Sequence, residues 1–207
     1  MQLSFRIYGV GMPDKERDLP ITDVGTLKAL AHPLRMKLYR ALCVAGRATA
    51  SQLAEQAGEA VSLVSYHLRR LAEHGLIEDS AAQGADGRER WWQPASAGIS
   101  VRDRDFRDAP EKAAAHLAAT RLFHEQRAEM YRRYLDERPT WSAEWNAAAP
   151  DSESLLRLTA GELDDLRAEL TALARKYDEK GRAAVAAGDT EGREHVALHM
   201  YGFPFRG

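Results

Sequence analysis

The sequence predicts a mainly α, α+β class protein, and three observations point that way. Apolar residues recur at helical spacing through residues 23–74, in runs of about 8 to 13 residues broken by Gly46, Gly58 and Gly75. A short pair of strand-like runs around a Gly-containing turn follows at residues 76–93. Two long helical patterns then occupy residues 108–137 and 159–187. We place the domain boundary at 108/109, with a first domain of residues 1–108 whose core is 22–94, and a second of residues 109–207.

Residues 2–9 alternate apolar and polar side chains and suggest a short strand. The charged run from Asp14 to Pro20 reads as loop. Asp23 can cap a helix reaching about Ala31, with Leu27, Leu30 and Ala31 inward. His32-Pro33 divides it from a second helix, because proline disfavours helix in the residue before it and starts one well. Leu34, Met36, Leu38 and Leu42 give that helix its apolar positions, and Gly46 ends it.

Thr49-Ala-Ser-Gln52 is a capping box, in which the Thr and Gln side chains satisfy each other's orphan backbone donors. Ala50, Leu53, Ala54 and Ala57 form one apolar face, and Gly58 supplies the helix exit. The next helix starts near Val61 and buries Val64, Leu68 and Leu71. Its start is the least defined point, since Glu59 and Ala60 stand where a Ser cap would be expected. Ser62, Ser65, Tyr66 and Arg69 lie opposite. Small hydroxyls, an aromatic ring and a guanidinium suit a helix lying in a DNA major groove, where side chains donate and accept hydrogen bonds at base edges. A purely structural helical hairpin would share the apolar pattern, so the flanking residues decide. Two helices precede the pair, as support for a reading helix requires. After it, Leu76-Ile77 starts a strand, Gln83 to Gly87 makes a turn, and Arg88 to Gln93 returns, closed by Pro94. Arg88 sits at the hairpin tip and Arg90 nearer its base, within reach of phosphates or the minor groove. Alternation puts only one of Trp91 and Trp92 inward, which favours packing over base stacking.

The ordered set LKALAHPLRMKLYRAL, SQLAEQAG, VSYHLRRLAEHGLIE and GRERWW resembles the ArsR-like winged helix-turn-helix transcriptional regulators over about residues 24–94. The resemblance implies a homodimer that reads double-stranded operator DNA with the 61–74 helix, the 78–93 wing resting on the backbone or minor groove. Carried over by position, the DNA-binding residues are Thr49, Gln52, Ser62, Leu63, Ser65, Tyr66, Arg69, Arg70, Arg88 and Arg90. Metal-sensing members carry cysteines at the start of the first motif helix. Arg47 to Ser51 holds none, and Cys43 lies one helix earlier, so a cysteine metal sensor is not expected.

The overall charge is -2, and residues 22–94 carry nine Lys/Arg against eight Asp/Glu. So weak a positive balance leaves open a second use of the fold, as a winged-helix module for protein contact. No phosphate loop, nucleophile elbow or His-Glu helix motif is present, which argues against an enzyme. The seven histidines include two pairs sharing a helix or strand face, His116 with His124 and His195 with His199, without a carboxylate or cysteine at ligand spacing. No cofactor is called for. No apolar run reaches the roughly 20 residues of a membrane span, and the N-terminus lacks a basic start and long apolar core. A cytoplasmic protein without membrane contact is expected.

In the second half, the 108–137 helix places Leu117, Thr120, His124, Ala128, Tyr131 and Leu135 on one side, with Phe123 and Met130 as a second strip. Ser154–Leu158 reads as a strand. Thr159-Ala-Gly-Glu162 is a second capping box, and Leu163, Leu166, Leu170, Leu173 and Tyr177 make an a/d seam of about two heptads. His195 to Phe205 starts as an alternating strand, giving a helical/α-β second domain. We expect this domain to dimerise the protein. Tyr131, Tyr134, Trp141, Trp145 and Tyr201, each offering area and one hydrogen-bonding group, are the candidate pocket for a small organic effector.

Overall fold

The computed structural model describes residues 4–8, 18–80 and 89–206, with side chains from residue 18 onward. The chain forms two compact units, Met1–Gln126 and Arg127–Gly207. They divide within a 28-residue helix because its first turns are packed into the core of the first unit.

The first unit opens with strand β1 (Ser4–Tyr8) and strand β2 (Asp18–Ile21). Both pair with a later strand, β6 (Gly98–Arg102): β1 antiparallel with Ser4 opposite Arg102, β2 parallel with Asp18 opposite Gly98. The sheet order is therefore β1-β6-β2. The charged stretch read as loop thus ends in a strand. Pro20 fits there because β2 is an edge strand and needs no ladder donor on its outer side. Strand β6 is the centre of the sheet, and Ile99 and Val101 are fully buried.

Helix α1 (Val24–Leu30) is capped by Asp23, whose carboxylate accepts from the Thr26 amide at 2.8 Å. Helix α2 (Pro33–Ala45) begins with Pro33 in its first turn and stops at Gly46, which takes φ +71°. Arg35 closes the end of α1 by donating to the Ala29 and Lys28 carbonyls. The His-Pro-Leu-Arg stretch thus does two jobs, starting one helix and satisfying the orphan carbonyls of the one before.

Strand β3 (Ala48–Thr49), helix α3 (Ala50–Ala57), helix α4 (Val61–Glu73), strand β4 (Ile77–Asp79) and strand β5 (Trp91–Pro94) follow. The Thr49–Gln52 capping box is formed in both directions. Gly58 ends α3 in the left-handed region at φ +69°. Lys37 Nζ donates to the Ala57 carbonyl at 2.9 Å, placing a cation on the negative end of α3 and tying it to α2. Helix α4 begins at Val61 with Ala60 in the cap position and no side-chain cap. The second sheet has the order β3-β5-β4, both neighbours antiparallel to β5. The two-residue β3 is too short to leave a periodic signal in the sequence. Pro94, expected to close the return strand, is inside it and pairs with Ile77.

Helix α5 (Pro110–Glu137) buries His116, Ala119, Thr120 and Phe123. The face is turned from the expected one: Leu117 is 42% exposed and His124 is exposed. Phe106 stacks on His116 with ring centroids 5.2 Å apart and fixes the rotation of the helix. An Ala-rich helix leaves several stripes equally apolar, so tertiary contacts choose among them. One core runs through the unit, from Ile21 and Leu27 through Leu38, Leu53, Leu68, Leu71 and Trp92 to Val101, Phe106 and Phe123.

In the second unit, α6 (Ala143–Ala148) follows the end of α5, its N-terminus capped by Ser142. Helix α7 (Ala160–Ala186) starts at the Thr159–Glu162 capping box. Residues 154–158 and 195–205 form no strands. The unit is therefore helical, without the α/β crossover the alternation suggested. An alternating pattern makes a strand only where a neighbour takes its backbone hydrogen bonds, and no strand is described in this unit to do so. No described residue from Arg127 onward is buried, although Leu155, Leu156, Leu170, Leu173, Tyr177, Val196, Leu198 and Phe203 are all large and apolar.

Candidate nucleic-acid interface

Helix α4 is held from below. Val64, Leu68 and Leu71 are fully buried and fix its rotation, so the face opposite must look outward. That face carries Ser62, Leu63, Tyr66, Arg69 and Arg70, all exposed, with Ser65 half-buried at its edge. Tyr66 is 53% and Leu63 40% exposed, large apolar area for an isolated surface helix. Arg69 Nε donates to the Ser65 carbonyl one turn back, while Arg70 pairs with Glu73. Arg69 thus stays on the outward face, and Arg70 is drawn toward the end of the helix.

His67 occupies the buried side, which the sequence reading did not anticipate. Its ring lies 4.6 Å from that of His32 and meets Tyr66 edge-on at 5.1 Å. Burial pushes both histidines below their ordinary pKa, with the Arg35 cation adding to the effect on each. Neutral imidazoles therefore join the start of α2 to the middle of α4.

The first motif helix contributes less surface than expected. Thr49 is only 2% exposed, and its hydroxyl accepts from the Gln52 amide. The Gln52 side chain is spent in return on the Thr49 amide, although Gln52 itself is exposed. Both residues therefore set the start of α3 and offer DNA little directly. Ser51 and Arg47 are the residues the sequence reading passed over. Arg47 lies over the Trp91 ring at 5.5 Å, and Ser51 Oγ donates to the Glu89 carboxylate at 2.8 Å.

In the wing, Arg90 pairs with Asp79 at 2.6 Å and lies 4.2 Å over the Trp92 ring. Trp92 is buried and Trp91 half-buried, as alternation requires. Arg88 and the turn at 83–87 lie outside the described residues. Between wing, α3 and α4 a cleft of about 380 Å³ opens, lined by Thr49, Ala50, Ser51, Val61, Ser65, Arg69, Glu89, Arg90 and Trp92. It brings together Ser65 and Arg69 of the reading helix and Arg90 of the wing, which the sequence reading placed on two separate segments.

Residues 30–79 match the helix-turn-helix domain family. The matched segment takes in α2, α3, α4 and β4. Among solved structures, the chain is similar to the homodimeric winged helix-turn-helix DNA-binding domain (fragment 1–100) of Mb0332 from Mycobacterium bovis, a possible ArsR-family transcriptional regulator. Identity is 23% over 36% of this chain, with a TM-score of 0.32, and the chain spans 65% of that fragment. It is also similar to Lactococcus lactis ZitR in complex with DNA, at 16% identity over 83% of each chain and TM-score 0.25. A third similarity is to the adhesin competence repressor AdcR from Streptococcus pyogenes, at 15% identity over 72% of this chain and 80% of that one, TM-score 0.26. No curated protein matches the chain. The helix-turn-helix is thus identified by its own matched segment, and the antiparallel pair of β4 and β5 follows it as the wing.

The effector candidates separate into groups. Tyr131 and Tyr134 are neighbours at 5.9 Å, with Tyr131 donating to Asp151 at 3.1 Å. Trp141 and Trp145 meet edge-on at 6.4 Å, and Asn146 donates to the Trp141 carbonyl. Tyr201 lies under the Arg127 guanidinium at 5.7 Å. Among the histidines, His116 has a carboxylate neighbour that sequence spacing did not show, Asp103 at 3.5 Å from Nδ1. Among the described residues no group of three or more His, Cys, Asp or Glu is placed to hold a metal ion. No helix among them is long and apolar enough to cross a membrane.

Proposed function

We propose that the protein is a DNA-binding transcriptional regulator acting in the cytoplasm, which reads double-stranded operator DNA as a homodimer. Helix α4 enters the major groove, and the wing, with Arg88 and Arg90, rests on the backbone or minor groove. The observation that carries this is the outward face of α4. A hydroxyl, a phenol and a guanidinium stand exposed, with the Ser65 hydroxyl at their edge, on a helix whose other side is locked into the core. Ser62 and Ser65 can exchange hydrogen bonds with several base edges, Arg69 can donate twice to a guanine, and Leu63 can meet a thymine methyl. Thr49 and Gln52 hold α3 in place beneath it.

The dimer is proposed from the second unit. A wHTH reads two half-sites only as a pair. Leu163, Leu166, Leu170, Leu173 and Tyr177 line one side of α7, and the last three are exposed in the protomer. A second copy packing along this seam would cover apolar area that nothing in the unit covers, by an isologous contact. Tyr131, Tyr134, Trp141, Trp145 and Tyr201 are proposed as contacts for a small organic effector, supported by the exposure of Tyr131 and Tyr201 and the partial exposure of the other three.

Selection of bound duplexes from a random pool tests the reading. Enrichment of an inverted repeat with half-sites about 10 base pairs apart is expected. Recovery of no enriched sequence at low salt would contradict it, and would favour the protein-contact use of the winged helix.

A further inference from the structure

The cleft between α3, α4 and the wing holds an anion already, and the anion belongs to the chain itself. Ser51 Oγ donates to Glu89 Oε1 at 2.8 Å, across the gap from the second residue of α3 to the residue before Arg90. Glu89 shares the cleft with Arg69 and Arg90. Arg90 is in turn held by Asp79 at 2.6 Å. The cleft opens beside the outward face of α4, where a DNA backbone bordering the major groove would pass. Its donors are of the kind that bind phosphate: a hydroxyl at the start of a helix and two guanidiniums.

We propose that Glu89 sets the strength of DNA binding, occupying in the free protein the place a DNA phosphate takes in the complex. This inference rests on the DNA-binding reading above. A carboxylate and a phosphate compete for the same donors and repel each other, so DNA must displace Glu89 from Ser51 before its backbone can settle. Every duplex meets that cost equally. Random DNA has only backbone contacts to offset it, whereas an operator adds base contacts along α4. Glu89 therefore lowers both affinities by the same factor, and the operator, with its base contacts, stays bound where random DNA does not. In a segment whose balance is only nine cations to eight anions, one carboxylate inside the footprint matters.

The test uses the full chain with Glu89→Gln and, as a control for net charge alone, Glu55→Gln, which is exposed on the same helix α3 outside the cleft. Each is titrated with the selected operator and with a random duplex over a range of salt. Glu89→Gln should bind random duplex about five- to tenfold more tightly, the worth of one close like-charge contact near a surface. Its log K against log salt should steepen by up to about 0.9, as one more phosphate becomes neutralised. Glu55→Gln should change both by much less. Equal gains in the two variants would overturn the inference, because only long-range charge would then be at work. So would an unchanged random-duplex affinity in Glu89→Gln while the wild type binds operator. Failure of wild type and variants alike to bind any duplex at low salt would instead overturn the DNA-binding reading, and this inference with it.

Discussion

The rings of His32 and His67 meet at a tilt of 38° with their centroids 4.6 Å apart, one at the start of α2 and the other on the buried side of α4. The relationship explains why the two histidines of the His-Pro-Leu-Arg and Ser-Tyr-His-Leu stretches occur together. They fasten the reading helix to its support. Neither Nδ1 makes a hydrogen bond among the described residues, so the pair is stable only while neutral.

Stability should therefore depend on pH in a defined direction. Burial lowers the pKa of His32, His67 and His116 from the ordinary value of about 6.5, Arg35 lowers the first two further, and Glu59 and Asp103 oppose it at His67 and His116 respectively. A depressed histidine pKa means that the unfolded chain binds more protons. The contribution is intact above about pH 6.5 and is lost as pH falls below it. Urea unfolding at pH 7.5 and 5.5 should show lower stability at the acid value. The double variant His32→Asn, His67→Asn should show a smaller difference between the two. A wild-type protein more stable at pH 5.5 would contradict the neutral pair.

Leu68 is fully buried beneath the reading face. Leu68→Ala should cost about 2–5 kcal/mol of unfolding free energy, from lost transfer and the cavity left behind. Tyr66→Ala on the opposite side should cost less than about 1 kcal/mol. Chemical denaturation of both variants measures the contrast, and equal losses would mean that α4 is not oriented as described.

Metal should not control DNA binding. Burial pushes the Cys43 thiol up to about 12, and a protonated thiol is neither a nucleophile nor a metal ligand. Cys43 should react with an alkylating reagent only after unfolding. Operator affinity should be the same with zinc, cadmium or a chelator. A tenfold change, about 1.4 kcal/mol of coupling, would reveal a metal site, and His116 beside Asp103 would be the first place to look.

The α7 seam predicts the assembly. Leu170→Glu with Leu173→Glu alters two residues exposed in the protomer, so the fold of one copy should be unaffected. Sedimentation should show a dimer for the wild type and a 23.1 kDa monomer for the variant. A variant that stays dimeric would place the interface elsewhere.

The sequence was most informative where structure is local. Both capping boxes, the three glycine exits of α2, α3 and α4, and the inward Val64, Leu68 and Leu71 depend on neighbours within a turn or two. Strand β2 was missed because its pairing with β6 spans about 80 residues of chain, and β3 because two residues carry no period. The strands expected at 154–158 and 195–205 failed for the converse reason, as no partner strand is described for them. In the site, Ser62, Leu63, Ser65, Tyr66 and Arg69 were legible from the helical period alone. Ser51 and Glu89 were not, since their contact joins residues 38 positions apart. Nor was the withdrawal of Thr49 into its own cap.

The reading face of α4 can be tested directly by titrating the selected operator with the wild-type protein and with the triple variant Ser65→Ala, Tyr66→Ala, Arg69→Ala. Each side chain lies on the outward or edge surface, so the variant should fold as the wild type does. Loss of Arg69 alone should cost roughly 1–3 kcal/mol if it meets a base. The triple variant should bind the operator no better than a random duplex. Operator affinity unchanged from wild type in the folded triple variant would show that α4 does not read DNA.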